Sequence, residues 1–415
     1  MPRGLGEITE LRLEVLQNFV TMWTLPPELM LMQLFGSSDS PSSTIKWESQ
    51  EGGRGMTPFK PPGAPSPMTS PYGVAAHEAE AAFWGEKMFF DEEFLNNLRR
   101  AGTENEYYDA ASRLANELSG LTNRSNRRKE WMFAKMLFTG SFTYAVKQGV
   151  MMSVNYSLRD DHIVSLATDY KWQSGTKRDI ISDIINGKTK IKDSCGSNTD
   201  FAVCNSTVLK YLAQDPTILT LLQKSAFGSG DLFKGAVHRI VGVNPQVVAS
   251  LLDIPNLVIY DESYEVRAYL TAVVTADSTT SISVEDASDF VAGGTLRFVD
   301  VSEGTYEEET ISSVDVQAGT VTVATAPSTS YKPTEDYVSM VQKFVADDKF
   351  CMFASRVENK PIAEFKRAPF GLDRNYGIKP DRWEKKDPDG IFIRVEDKGL
   401  PVLYQRDAVY ILDVN

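Results

Sequence analysis

Apolar side chains recur at helical spacing along the middle of the chain. Tyr107, Ala111, Leu114, Leu118 and Leu121 fall at i, i+4, i+7, i+11 and i+14, which puts them on one face of an amphipathic helix over Glu104–Leu121. The helical pattern continues through Arg124–Phe142. There Trp131, Phe133, Met136, Leu137 and Phe138 point around much of the circumference, so this stretch must be covered on several sides. Residues 7–35 keep helical spacing through Leu11, Val15, Phe19 and Val20, break at Pro26-Pro27, and resume as an apolar turn from Leu29 to Phe35. The Ala- and Glu-rich run Ala75–Lys87 adds a further helical pattern. Asp179–Ile185 begins another helix, with Ile180, Ile181, Ile184 and Ile185 as its buried stripe.

Strand patterns take over at Val150–Leu158 and His162–Ala167. Between Phe201 and Tyr260, apolar strand-like runs alternate with short helices at Asn205–Leu212, Pro216–Gln223 and Asn244–Leu252, followed by Leu257–Tyr260. That alternation indicates an α+β or α/β unit. Composition changes at about Thr271. From there to about Pro333 the chain is Thr, Ser, Val, Asp and Gly, with period-two runs such as Thr295-Leu-Arg-Phe-Val and Thr320-Val-Thr-Val-Ala. This reads as an all-β module over 271–335, inserted between Leu257–Tyr269 and Tyr337–Phe353 and projecting from the surface. The C-terminal part is strand-rich, with Gly390–Val395 and a terminal run Ala408–Val414 that is expected to be tied into a sheet.

One long segment lacks both patterns. Gly36–Gly73 spans 38 residues, of which 21 are Gly, Pro or Ser. Such a segment cannot build its own core, yet it carries Trp47, Met56, Phe59, Met68 and Tyr72. From these residues alone it is either an arm that lies across a neighbouring molecule or a linker.

With 415 residues the chain can bury a sizeable core and reads as two or three domains. A net charge of −13 argues against general affinity for nucleic acid or anionic lipid, and suits a protein that tolerates DNA nearby without binding it. No secretory signal or membrane-spanning run is present. Three cysteines (Cys195, Cys204 and Cys351) read as reduced thiols of a cytosolic product rather than a disulfide framework.

Candidate chemistry is sparse. With only His77, His162 and His238 there is little material for a triad or metal site, and no cysteine has a His or Cys partner at zinc spacing. Asn186-Gly-Lys-Thr-Lys fails as a phosphate loop because Ser182 stands where a glycine is needed. Phe227-Gly-Ser-Gly-Asp lacks the spacing of a nucleophile elbow. The acidic pairs Asp160-Asp161 and Asp347-Asp348 read as solvated turns, and Glu307-Glu308-Glu309 as protection of an exposed strand edge. Arg124, Arg127, Arg128 and Lys129 form the one basic run, at a helix start, where positive charge opposes the macrodipole and suits an acidic partner surface. No catalytic, cofactor or metal residue is assigned.

The order of the parts is itself informative: an apolar N-terminal segment, a long Gly/Pro arm, a long helix, a mixed domain with a β insertion, and a strand-rich return. Local features accompany it: Trp172 with Lys177-Arg178-Asp179 before a helix, a strand–turn–helix over Ala202–Leu212 carrying Tyr211-Leu212, Val258-Ile-Tyr-Asp-Glu-Ser-Tyr, and Gly399-Leu-Pro-Val-Leu. In this order the chain resembles the major capsid proteins of tailed bacteriophages, specifically the lambda-type capsid protein E family.

That resemblance implies the α+β tailed-phage/herpesvirus major capsid fold, with a peripheral domain carrying a spine helix, an axial domain and an extended loop, here with an inserted all-β domain. Along the chain it implies an N-terminal arm (1–35), an extended intersubunit loop (36–73), a peripheral domain with the spine helix (74–178) and an axial domain (179–270 and 336–362). The insertion (271–335), peripheral strands (363–398) and a C-terminal strand (399–415) complete the order. The implied function is a subunit of pentamers and hexamers that form an icosahedral, DNA-containing head, found in the virion and assembled in the host bacterial cytoplasm. Its partners are then other copies of itself, with portal, scaffold and decoration proteins beyond them and double-stranded DNA in non-specific proximity; no membrane and no cofactor is expected.

The resemblance implies no active site and decides in favour of the arm. Its intersubunit contacts are expected at Trp47, Met56, Phe59, Met68, Tyr72, Arg124, Arg127 and Arg128, with Trp47 and Phe59 as aromatic anchors. With Met1 as first residue, no large cleaved N-terminal scaffold segment is expected. Two other classes stay open from the residues: a surface-binding protein that uses the β insertion to contact carbohydrate or protein, and a hydrolase built on the carboxylate clusters.

Overall fold

The computed structural model describes residues 13–22, 26, 28–50, 56–66, 68, 73–91, 104–147, 150–224, 244–333, 335–387 and 389–415. Two compact units divide the chain: residues 1–260 with 347–415, and the intervening 261–346.

A single helix, Glu104–Phe138, is the longest element of the first unit. Its C-terminal half is covered on several sides, as the distribution of its apolar residues demands: Trp131, Met132, Phe133, Met136, Leu137 and Phe138 are all buried. The helix packs against the long strand Asp389–Leu403 and the short helix Met30–Leu34. That strand is the centre of a sheet: Lys379–Lys386 pairs with its first part and Ala363–Arg367 with its last residues along one edge, and Ala82–Asp91 pairs along the other. It runs unbroken through residues 398 and 399, where the sequence suggests a boundary between peripheral strands and a C-terminal strand.

A second sheet is ordered Ile163–Ser165, Val409–Asp413, Lys349–Phe353, Phe201–Cys204, Asn256–Ile259. The chain end is thus an interior strand, with Val409, Tyr410, Ile411 and Leu412 buried. The helix Ile180–Cys195 lies on this sheet. It is capped by the Asp179 carboxylate, which accepts from the Ser182 amide, and ends at Gly196 with φ +78°. Gly187 sits in its middle because a Cβ there would come within 2.3 Å of Met352 Cε and 2.8 Å of the Tyr410 ring. The Asn186-Gly-Lys-Thr stretch is therefore a helix–sheet contact. None of the three cysteines forms a disulfide.

Three local expectations give way to tertiary pairing. Ala75–Lys87 is not helical: Val74–Glu80 and Ala82–Asp91 are strands, because each pairs along its whole length, with Thr44–Gln50 and with part of Asp389–Leu403. Likewise 36–73 contains two strands. Gly36–Asp39 pairs in parallel with Ala363–Arg367, and Thr44–Gln50 forms an antiparallel ladder with Val74–Glu80. The basic run does not start a helix; Arg124–Lys129 lies well inside Glu104–Phe138, away from the terminal dipole.

In the second unit every regular element among the described residues is a strand. Six strands are ordered Ser263–Tyr269, Tyr337–Lys343, Thr295–Asp300, Thr305–Asp315, Thr320–Val323, Ser281–Ser283. One face carries the unit's own core, including Val266, Leu296, Phe298, Ile311, Val321 and Val338. The unit is wider than 271–335 because Ser263–Tyr269 pairs along its whole length with Tyr337–Lys343. Glu307–Glu309 lies on an interior strand, so it does not protect an edge. Glu308 instead pairs with Arg297, and Glu307 accepts from the Ser328 amide.

Candidate assembly surface

The ladder between Thr44–Gln50 and Val74–Glu80 makes this part of the Gly/Pro-rich segment a β-hairpin, and the described residues of its tip are 56–66, 68 and 73. The base is firmly held. Ile45, Trp47 and Ser49 point inward, with Trp47 stacked on its cross-strand partner His77 at 5.2 Å and tilted against Tyr156 at 6.1 Å. His77 Nε2 and Ser49 Oγ are 2.8 Å apart, and burial lowers the His77 pKa. Trp47 is only 5% exposed. It anchors the hairpin to its own subunit, which corrects its assignment as a contact to a neighbour.

The tip is the opposite case. Met56, Phe59 and Met68 are 90%, 104% and 101% exposed. Between them Lys60 Nζ donates to the Ala64 carbonyl at 3.2 Å and to Ser66 Oγ at 2.9 Å, folding the prolines into a turn. Tyr72 lies outside the described residues.

On the long helix, Arg124 pairs with Glu86 of the strand Ala82–Asp91, Arg127 is exposed, and Arg128 lies 5.1 Å over the Trp131 ring. The next two residues turn inward. Lys129 Nζ is 2.5 Å from Asp397 Oδ2, with the two side chains 9% and 0% exposed. Glu130, fully buried, accepts from the Leu31 and Met32 amides at 2.8 Å each and from the Tyr260 hydroxyl at 2.7 Å. Burial raises the Glu130 pKa, against the pull of those three hydrogen bonds. Sequence pattern gives no hint of these two positions, since Lys-Glu in a polar run reads as an exposed helix face. The structure thus separates the seven expected contact residues that it describes: Met56, Phe59 and Met68 share the tip, the three arginines share the helix, and Trp47 is internal.

Nothing among the described residues gathers three or more metal-ligating side chains. A cleft of about 700 Å³ is open to solvent and lined by Ser157, Arg159, Asp160, Asp161 and Arg406 among others. Its Asp161 bridges Arg159 and Lys190, and these partners hold its carboxyl below the usual range, the reverse of what a general acid needs. His162 is wholly structural: buried, with Nδ1 2.9 Å from the Val409 carbonyl and Nε2 3.1 Å from Ser194 Oγ. His238 lies outside the described residues. No helix among the described residues is long and apolar enough to cross a membrane.

Comparison with known proteins gives the family to which a chain with this held base and bare tip belongs. The profile of the family described as phage major capsid protein E matches residues 14–265, more than half of the chain. The chain belongs to that family. Among solved structures it is similar to a protein of an Escherichia coli CFT073 prophage, described as its capsid protein. The TM-score is 0.52 at 12% identity, with 98% of this chain and 99% of that one covered. A phage-related protein from Bordetella bronchiseptica RB50 is similar with a TM-score of 0.48 at 10% identity, over 97% and 96% of the two chains. At such identity the likeness to the prophage protein defines the fold alone: it is the tailed-phage major capsid fold. No curated protein sequence matches the chain. The protein is a capsid-forming component of a phage head.

Proposed function

We propose that copies of this chain assemble as pentamers and hexamers into an icosahedral shell around the double-stranded DNA of a tailed phage, in the cytoplasm of the bacterial host. The chain acts as a structural subunit and not as a catalyst. Residues 36–73 form the extended intersubunit loop, with 51–73 as the part that reaches a neighbour. The peripheral domain holds the long helix, and the axial domain holds the sheet that ends in Val409–Asp413. Portal, scaffold and decoration proteins are its further partners, and the net negative charge keeps packaged DNA in non-specific proximity.

One observation carries the reading: the hairpin base is fixed by buried Trp47, while its tip holds Met56, Phe59 and Met68 in water. Burying a large apolar side chain contributes roughly 1.5–3 kcal/mol, so a tip with three of them gains most when a neighbour covers it. A main-chain segment added to a neighbouring surface contributes hydrogen bonds as well. Negative-stain microscopy with sedimentation of the expressed protein, alone and with its neighbouring phage proteins, tests this. Shells, tubes or rings of five and six support it, and a monomer under every condition contradicts it.

A further inference from the structure

The second unit carries almost all of the chain's charge imbalance. Residues 261–346 hold 15 Asp and Glu against 4 Lys and Arg, a net of −11 out of −13. Both arginines of the unit, Arg267 and Arg297, lie on the sheet face opposite its core. Register places them on either side of Ser339, in one row across four strands that ends at Glu308. The next row is Tyr269, Tyr337, Val299 and Tyr306. Arg267 stacks 5.0 Å over Tyr337 and Arg297 4.5 Å over Tyr306, while Glu265 and Glu308 pair with the two guanidiniums.

The face is thereby charge-balanced and aromatic. Tyr306 is 59% exposed and Val341 60%, and Tyr269 is also exposed. Beyond the tyrosine row, the turn after Thr295–Asp300 adds exposed Val301 and the exposed carboxylate of Glu303, while half-buried Asp300 alternates to the core side and accepts from the Ser302 and Glu303 amides. Aromatic residues and arginine inside an acidic rim make up an interface composition, not that of an idle sheet surface.

The hairpin tip is complementary. From Gly52 to His77 the sequence has Arg54 and Lys60 and no Asp or Glu, and Lys60 lies among the exposed Met56, Phe59 and Met68. We propose that the hairpin tip of one subunit docks on the tyrosine row of a neighbouring subunit's second unit, with Phe59 on the tyrosines and Lys60 at the Asp300–Glu303 turn. Two copies of the acidic unit pressed face to face repel one another, which disfavours that face as its own partner. Lysine against an acidic, aromatic rim is attractive on both counts. This inference rests on the reading of the chain as a shell subunit.

The test uses particles assembled from a mixture of ¹⁴N- and ¹⁵N-labelled full-length chains, treated with a zero-length carbodiimide and mapped by mass spectrometry. The expected result is a mixed-isotope peptide joining Lys60 to Asp300 or Glu303. Phe59→Ser, which leaves Lys60 in place, is expected to lower that yield about tenfold, as loss of a central aromatic anchor does. Particles that form while Lys60 joins only carboxylates of residues 1–260 or 347–415, or none, overturn the docking and leave the shell reading intact. So does a yield unchanged by Phe59→Ser. Failure to form particles at all removes the shell reading and the docking together.

Discussion

Lys129 and Asp397 form an ion pair 2.5 Å long between the long helix and the long strand, with neither side chain more than 9% exposed. The adjacent Glu130 grips the Leu31 and Met32 amides, so two consecutive residues of one helix turn lock it to elements far apart in sequence.

Removing one member of such a pair strands a buried charge. Lys129→Ala is expected to destabilise the subunit by about 3–5 kcal/mol, whereas Lys129→Met with Asp397→Leu comes close to the native stability. Urea denaturation of the unassembled chain separates the two: equal losses for the single and double variants contradict the pairing.

Glu130 sets a pH dependence. Burial raises its pKa in the folded chain above the ordinary value of 4.5, so the folded state binds its proton more tightly than the unfolded state. Its contribution is therefore most favourable at or below that ordinary value and is lost as pH rises through the raised one. Glu130→Gln is expected to flatten this part of the stability–pH profile, as read from urea midpoints measured upward from pH 4.5. A slope as steep as that of the native chain contradicts it.

Trp47 and Phe59 are expected to behave oppositely. Trp47→Ala removes a buried indole and costs about 3–5 kcal/mol of subunit stability. Phe59→Ser changes subunit stability by no more than about 0.5 kcal/mol, because the ring is already in water, but lowers particle yield. Thermal melts of the subunit beside sedimentation of particles read the two effects separately.

Gly187→Ala puts a Cβ against Met352 and the Tyr410 ring. The methionine end can shift but the ring is held in the sheet, so a loss of about 1–3 kcal/mol is expected from overpacking. An unchanged unfolding midpoint contradicts that packing.

The long helix and the terminal strand were legible in sequence because their apolar residues repeat with the period of the element that buries them. Thr44–Gln50 was hidden by its inward Ser49, a polar residue satisfied by His77 on the partner strand. Val74–Glu80 was hidden by helix-forming alanines and glutamates that a long-range partner holds extended. Trp47 looked like a reaching anchor because nothing local shows that His77 and Tyr156 cover it. The tyrosine row was equally hidden: Tyr269, Tyr337, Val299 and Tyr306 come from four strands and meet only through register.

The most direct test is a cryo-electron microscopy map of the assembled particle, traced through residues 44–80. A closed shell is predicted, in which Trp47 lies inside its own subunit and Phe59 of the same hairpin is covered by a neighbouring one. A shell in which the tip folds back on its own subunit, or a chain that forms no shell, contradicts it.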